Sequence, residues 1–209
     1  MKSNASYLAR LNPQISDPLL AELRQKAIKR KIPIVTDAGL AFLNHIVTLK
    51  RATTLLEIGT AFGYSAIALA LNHPTLSIVS IERDEDLAKE ACQHIKQANL
   101  TKRITVLKGD AHTIESPALK TRFDVLFIDA AKSQLLAMFE RYEKRLNDDG
   151  AFVVDNVLFR DMMDNLPENK NLRALVKKID RFNQAIVQRE DYLVHIYPIG
   201  DGMALGVKR

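Results

Sequence analysis

Asp129, Lys132, Asp155 and Asn156 are the residues whose types and spacing could do chemistry. Two carboxylates and an amide are hard oxygen donors. With no His or Cys among them, they suit Mg²⁺, which keeps several waters and takes few protein carboxylates. A cation held there leaves positions for two vicinal oxygens of an acceptor. It would lower the pKa of a hydroxyl bound to it and fix that hydroxyl in line for attack. Lys132 stands three residues beyond Asp129, where it could take the proton or stabilise the oxyanion. Singly, each acid is equally well a helix cap or an ion-pair partner, and Lys132 a surface lysine.

A second set lies upstream, in Glu57-Ile-Gly-Thr-Ala-Phe-Gly-Tyr-Ser65. Gly59 and Gly63 follow an apolar run and precede an apolar helical pattern, so the chain must turn sharply there and leave its backbone open to a ligand. The helix start at Tyr64-Ser65 offers free amides and a hydroxyl to a carboxylate. Dinucleotide-binding loops read G-x-G-x-x-G, whereas these glycines are separated by three residues and preceded by Glu57. The spacing favours S-adenosylmethionine (SAM) over a nicotinamide cofactor. Glu82 ends the next apolar run, where an acid would accept from both ribose hydroxyls. Gly109-Asp110-Ala111 ends the third, at the place expected for the adenine ring.

The elements that must position these residues read as an α/β chain. Asp17-Pro18 caps a first helix carrying Leu19, Leu20, Leu23, Ala27 and Ile28, and Pro33 ends it. A second begins near Thr36 or Asp37 with Leu40, Leu43, Ile46, Val47 and Leu49. Residues 1–50 thus form a helical cap, and 51–209 a Rossmann-like core of a single domain. The strand candidates are Thr54–Ile58, Ser77–Ile81, Ile104–Leu107, Val125–Ile128 and Ala151–Val154, with amphipathic helices between them. Continuous apolar strands of this kind belong to a parallel sheet covered on both faces. The helix after the second strand sets Leu87, Ala91, Cys92 and Ile95 inward. Another carries Leu135, Leu136, Met138, Phe139 and Leu146. After a long helix with Leu172, Leu175, Val176, Ile179, Phe182 and Ile186, the runs Tyr192–Ile199 and Met203–Val207 make an antiparallel hairpin about Gly200-Asp201-Gly202. The expected fold is a mainly parallel seven-stranded sheet, with the acids on the rim formed by the strands' carboxyl ends.

Composition narrows the classes. The chain has 209 residues, enough for one continuous core, and no apolar stretch of the roughly 20 residues a membrane span needs. One cysteine excludes an internal disulfide, no Cys/His spacing fits zinc, and no signal-peptide pattern opens the chain, so the cytoplasm is expected. A net charge of +5 is compatible equally with a nucleic-acid substrate and with a merely soluble surface.

From about Pro33 onward the chain resembles the small Mg²⁺-dependent O-methyltransferases of the catechol and caffeoyl-CoA type. Glu57–Ser65, Ile81-Glu82-Arg83, Phe123–Lys132, Asp155-Asn156-Val157 and Ile199-Gly-Asp-Gly202 carry that resemblance. It implies that Val35, Ser65, Glu82, Asp110, Ala111 and Asp129 contact SAM. It also implies that Asp129, Asp155 and Asn156 hold the metal, that Lys132 is the base, and that the protein is a homodimer. Within the family the chain is most similar to the branch that converts 5-hydroxyuridine to 5-methoxyuridine at the tRNA wobble position, on Ile32-Pro-Ile-Val35, Ile58–Ala66, Val154–Phe159 and the helix 172–183. The partner it implies is the anticodon loop of tRNA. The catechol branch places a Trp between the metal Asp and the Lys, and a Pro four residues beyond the metal Asn. This chain has Ala130-Ala131 and Arg160 there, and no Trp at all. Arg160 could meet a phosphate or pair with Asp161. Arg173, Lys177 and Arg181 make a basic stripe on the long helix, either an RNA contact or a solvated face; Arg24, Lys26, Lys29, Arg30 and Lys31 cluster on the first. The alternatives are a small catechol-like or phenolic acceptor and a non-catalytic SAM- and RNA-binding module.

Overall fold

The computed structural model describes residues 7, 10–12, 17–159 and 162–209. They fall into two compact units, residues 1–33 and 34–209. In the first unit, helix α1 (Pro18–Arg30) starts where Asp17 accepts from the Leu20 amide at 3.1 Å, and ends at Lys31 in a left-handed turn. It buries Leu20, Leu23 and Ala27; Leu19 and Ile28 lie off that stripe, Ile28 largely exposed. Among the described residues no helix is long and apolar enough to cross a membrane.

The second unit opens with α2 (Asp37–Leu49), capped by the Thr36 hydroxyl. It therefore includes the second helix as well as the sheet. Leu40, Leu43, Ile46 and Val47 face inward, whereas Leu49, expected among them, is exposed. Then follow β1 (Thr54–Ile58), α3 (Tyr64–Asn72), β2 (Ser77–Glu82), α4 (Glu85–Gln97), β3 (Ile104–Lys108), β4 (Phe123–Ile128), α5 (Leu135–Tyr142), β5 (Leu146–Asp155), α6 (Lys170–Val187), β6 (Tyr192–Tyr197) and β7 (Met203–Lys208). Leu146 begins β5 rather than ending a helix. Cys92 is exposed, because α4 turns Ala88, Ala91, His94 and Ile95 inward instead.

The strands form one sheet in the order β3-β2-β1-β4-β5-β7-β6, parallel through β5 and antiparallel in the closing pairs. Leu55, Leu56, Val125, Leu126, Phe127, Phe152, Val153 and Val154 are at most 1% exposed, as a doubly covered sheet requires. Each such side chain contributes roughly 1.5–3 kcal/mol by leaving water. On one face Phe139, Phe152, Phe182 and Tyr192 pack edge to face, with centroids 4.6 to 6.1 Å apart. This core fixes the frame from which the strands' carboxyl ends project their loops.

Candidate active site

The strand order reverses at β1, with β2 on one side and β4 on the other, so the turns after β1 and β4 open a crevice between them. The turn 59–63 is shaped by positive φ at Gly59 (+102°) and Gly63 (+95°). A Cβ on Gly59 would lie 2.0 Å from the Asp129 carbonyl oxygen, so only glycine lets the two turns approach this closely. Gly63 occupies the cap of α3 and leaves the helix's first amides facing the turn. Phe62 and Tyr64 are buried core residues.

Glu57 is fully buried on β1. Ser65 Oγ donates to one carboxylate oxygen at 2.5 Å, and Ser80 Oγ donates to the other while sharing a bond with Thr60. Burial pushes the carboxyl up to about 7, and the two serine bonds only partly offset this. Glu57 therefore reaches the donor crevice through Ser65. While the Ser65 hydrogen is engaged there, its oxygen offers lone pairs rather than a donor.

The remaining donor-side residues line the same rim. Glu82 accepts from the Ala61 amide at 2.8 Å and the Asp84 amide at 2.9 Å, tying the glycine turn to the end of β2 and leaving further lone pairs free. Asp110 accepts from the His112 amide at 2.8 Å, and Ala111 is buried beside it. Val35 and Met203 converge on Gly39, and Met203 is the register partner of Asp155. Val35 thus lies by the β7 side of the rim.

Asp129 and Asp155-Asn156 end the adjacent parallel strands β4 and β5. Asn156 Nδ2 donates to Asp129 Oδ1 at 3.1 Å, and the Asn156 amide donates to Asp155 Oδ1 at 2.7 Å. Asn156 is left-handed, with φ +67°. Burial, then the neighbouring Glu57, lifts Asp129 to about 6; burial, then Asp129, lifts Asp155 to about 7. Lys132 opposes both shifts, and its ammonium stands 5.2 Å from the Phe159 ring centroid. Among the described residues no group of three or more His, Cys, Asp or Glu side chains forms a cation cage. Two carboxylates that repel each other beside an amide are nonetheless a donor set that a hard divalent cation would satisfy.

The structure thus brings together Val35, Glu57, Gly59, Gly63, Ser65, Glu82, Asp110, Ala111, Asp129, Lys132, Asp155 and Asn156 along one rim. Arg160 lies outside the described residues. Arg173, Lys177 and Arg181 are exposed on α6, away from its buried stripe, and the Arg173 guanidinium is drawn to the Pro167 and Glu168 carbonyls.

Sequence reasoning missed three buried side chains that hold the loops from behind. His94 Nδ1 donates to the Phe62 carbonyl at 2.9 Å, Tyr142 donates to the Ala111 carbonyl at 2.6 Å, and Asn183 Nδ2 donates to the Val157 carbonyl at 2.8 Å. Their signal was a polar residue in an inward helical stripe: Asn183 follows Val176 and Ile179 at i+7 and i+4.

This sheet order, with a glycine turn at the switch point and a closing hairpin, defines a Rossmann-like methyltransferase. A Staphylococcus aureus structure described as a candidate caffeoyl-CoA O-methyltransferase superposes with a TM-score of 0.92 at 28% identity, over 99% of both chains. A Bacillus cereus O-methyltransferase solved with S-adenosylhomocysteine gives 0.81 at 28%, over 98% of this chain and 96% of that one. Catechol O-methyltransferase domain-containing protein 1 of Mus musculus is 29% identical over 172 residues, 79% of this chain and 64% of the mouse protein. The O-methyltransferase family model matches residues 12–209, and the chain belongs to that family.

Proposed function

We propose that this chain is a SAM- and Mg²⁺-dependent O-methyltransferase acting on 5-hydroxyuridine at the wobble position of the tRNA anticodon loop. The observation that carries the transfer reading is the double engagement of Asp129. Its backbone carbonyl abuts Gly59 of the donor turn, and its carboxylate bonds Asn156 of the candidate cation set. On this reading the donor and acceptor sites would share Asp129 and lie side by side.

The residues fit both groups. Glu82 keeps lone pairs for ribose hydroxyls, and Asp129, Asp155 and the Asn156 amide oxygen would hold Mg²⁺. Bound there, Mg²⁺ would supply the charge that acidifies a chelated hydroxyl. The hydroxyl oxygen attacks the methyl carbon; the C–O bond forms as the C–S bond breaks, and the electron pair stays on sulfur. Lys132 would hold the oxyanion as the ammonium, or take the hydroxyl proton as the free amine.

The 5-hydroxyl and 4-carbonyl of the base are vicinal oxygens and suit this set. Ala130-Ala131 in place of a ring and the exposed Lys177 and Arg181 favour a nucleic-acid acceptor over a free phenol, and the net charge of +5 is compatible with it. The second reading, a small phenolic acceptor, is favoured by the catechol and caffeoyl-CoA names of the mouse and Staphylococcus proteins.

The test is methyl transfer from labelled SAM, with Mg²⁺, into tRNA bearing 5-hydroxyuridine, read by nucleoside mass spectrometry beside a catechol reaction. A 5-methoxyuridine product that vanishes with EDTA and with Asp129→Ala is expected. Catechol methylation without any tRNA product would establish the second reading.

A further inference from the structure

Among the described residues, three side chains make buried bonds to backbone carbonyls, and each reaches a different loop of the rim from a different helix. The geometry points to Asn183 of α6 as the positioning residue of the loop that carries the candidate metal ligand Asn156. This inference rests on the reading of Asp129, Asp155 and Asn156 as a cation site.

The loop 156–159 is bent at both ends. Asn156 has φ +67°, a left-handed bend that asparagine tolerates better than most residues, and Phe159 has φ +42°, which a bulky side chain adopts only when the surroundings enforce it. The enforcement comes from two sides. The hairpin turn supplies acceptors: the Val157 amide donates to the Gly202 carbonyl at 3.0 Å, and the Leu158 amide donates to the Asp201 carbonyl at 2.8 Å. Those bonds fix the loop's amides. The Val157 carbonyl, next after the ligand residue, is fixed by Asn183 Nδ2 at 2.8 Å.

Asn183 is only 8% exposed, and its Oδ1 has no partner among the described residues. A buried amide left half satisfied is held for the half that is used, and its orientation is set by a carbonyl that can only accept. Asn183 lies between Phe182 and the stripe of Val176 and Ile179, so the helix cannot turn it away without exposing that core face. Loss of its donor would release Val157, let Asn156 relax from its left-handed bend and shift Phe159 under the Lys132 ammonium. The same helix carries Lys177 and Arg181 on its outer face, so one element bears both the basic stripe and the brace of the cation loop.

The test compares, at pH 8, Asn183→Leu, which keeps the branched four-atom side chain and removes its polar atoms, with Asn183→Asp, which keeps the shape and, ionised, removes the donor. Ile179→Val serves as a variant of the same helix with Asn183 intact. Mn²⁺ binding is followed by electron paramagnetic resonance, SAM binding by calorimetry and folding by thermal melt. Both Asn183 variants are expected to weaken Mn²⁺ by about tenfold, as outer-shell partners of metal ligands do. SAM affinity should be unchanged, and Ile179→Val should alter neither ligand. Unchanged Mn²⁺ affinity in a folded Asn183 variant overturns the inference, as does equal weakening of Mn²⁺ and SAM. No Mn²⁺ binding by the unsubstituted protein would overturn the cation site itself.

Discussion

Glu57→Gln is expected to make the protein more stable at pH 8 than the unsubstituted chain, relative to pH 4.5. Burial raises the Glu57 carboxyl from its ordinary 4.5 to about 7. The folded state therefore keeps a proton that the unfolded chain releases throughout that interval. With the unfolded state binding fewer protons, stability falls as pH rises from 4.5 to about 7, then levels. A shift of about 2.5 units at roughly 1.36 kcal/mol each amounts to about 3 kcal/mol. Glutamine cannot titrate, yet it can keep both contacts: its oxygen accepts from one serine and its amide donates to the other hydroxyl oxygen. Asp129 and Asp155 remain in both proteins, and removing the Glu57 charge relieves Asp129 in the same direction. Urea unfolding across pH 4.5 to 8, without ligands, reads the difference. A stability gap between variant and parent that does not change with pH would refute the reasoning.

Gly59→Ala should abolish SAM binding in calorimetry and cost about 3 kcal/mol in urea unfolding. Its φ is +102° and the new Cβ would stand 2.0 Å from the Asp129 carbonyl oxygen; a variant that binds SAM normally would refute the close approach. Asp129 at about 6 and Asp155 at about 7 hold protons that a cation must displace. Mg²⁺ binding near pH 6.5 should therefore release protons, seen as a dependence of the calorimetric heat on buffer ionisation enthalpy, and affinity should rise toward pH 8.

The strands were legible because a doubly covered parallel sheet leaves continuous apolar runs such as Val125–Ile128 and Ala151–Val154, bounded by glycine or acid. The acids that would hold a cation were legible for the same reason, since a strand's carboxyl end is marked by the first polar residue. Periodicity failed where a helix covers less than its apolar width. Leu49 and Ile28 extend their stripes in sequence yet stand in solvent at the last turns. Cys92 failed differently: one position from Ala91, it is just past the contact line that Ala88, Ala91 and Ile95 define. For His94, Tyr142 and Asn183 a polar residue in an inward stripe signals burial, but their partners are backbone carbonyls, which no side-chain pattern reports. The inner role of Glu57 was hidden likewise, since Ser80 meets it only across paired strands.

Charge gives the strongest argument for catalysis over passive binding of a nucleotide. Glu57 and Asp155 are buried, and loss of water pushes Glu57, Asp129 and Asp155 all upward; Glu57 adds to the rise of Asp129, and Asp129 to that of Asp155. Lys132 is the cation that offsets both Asp129 and Asp155 among the described residues. A binding module that needed only to hold the adenosine end of a ligand has use for Glu82, but none for a repelling pair at the ends of β4 and β5. Such a pair is stable only because the folded core bears its cost, and proteins keep that kind of strain where a ligand relieves it. A sulfonium donor brings positive charge to the Asp129 side, and a divalent cation brings it to the Asp155 side. Each would draw the carboxylates toward ionisation and so favour the other's binding. On the proposed reading the residue that would feel both is Asp129, whose backbone carbonyl abuts Gly59 and whose carboxylate accepts from Asn156.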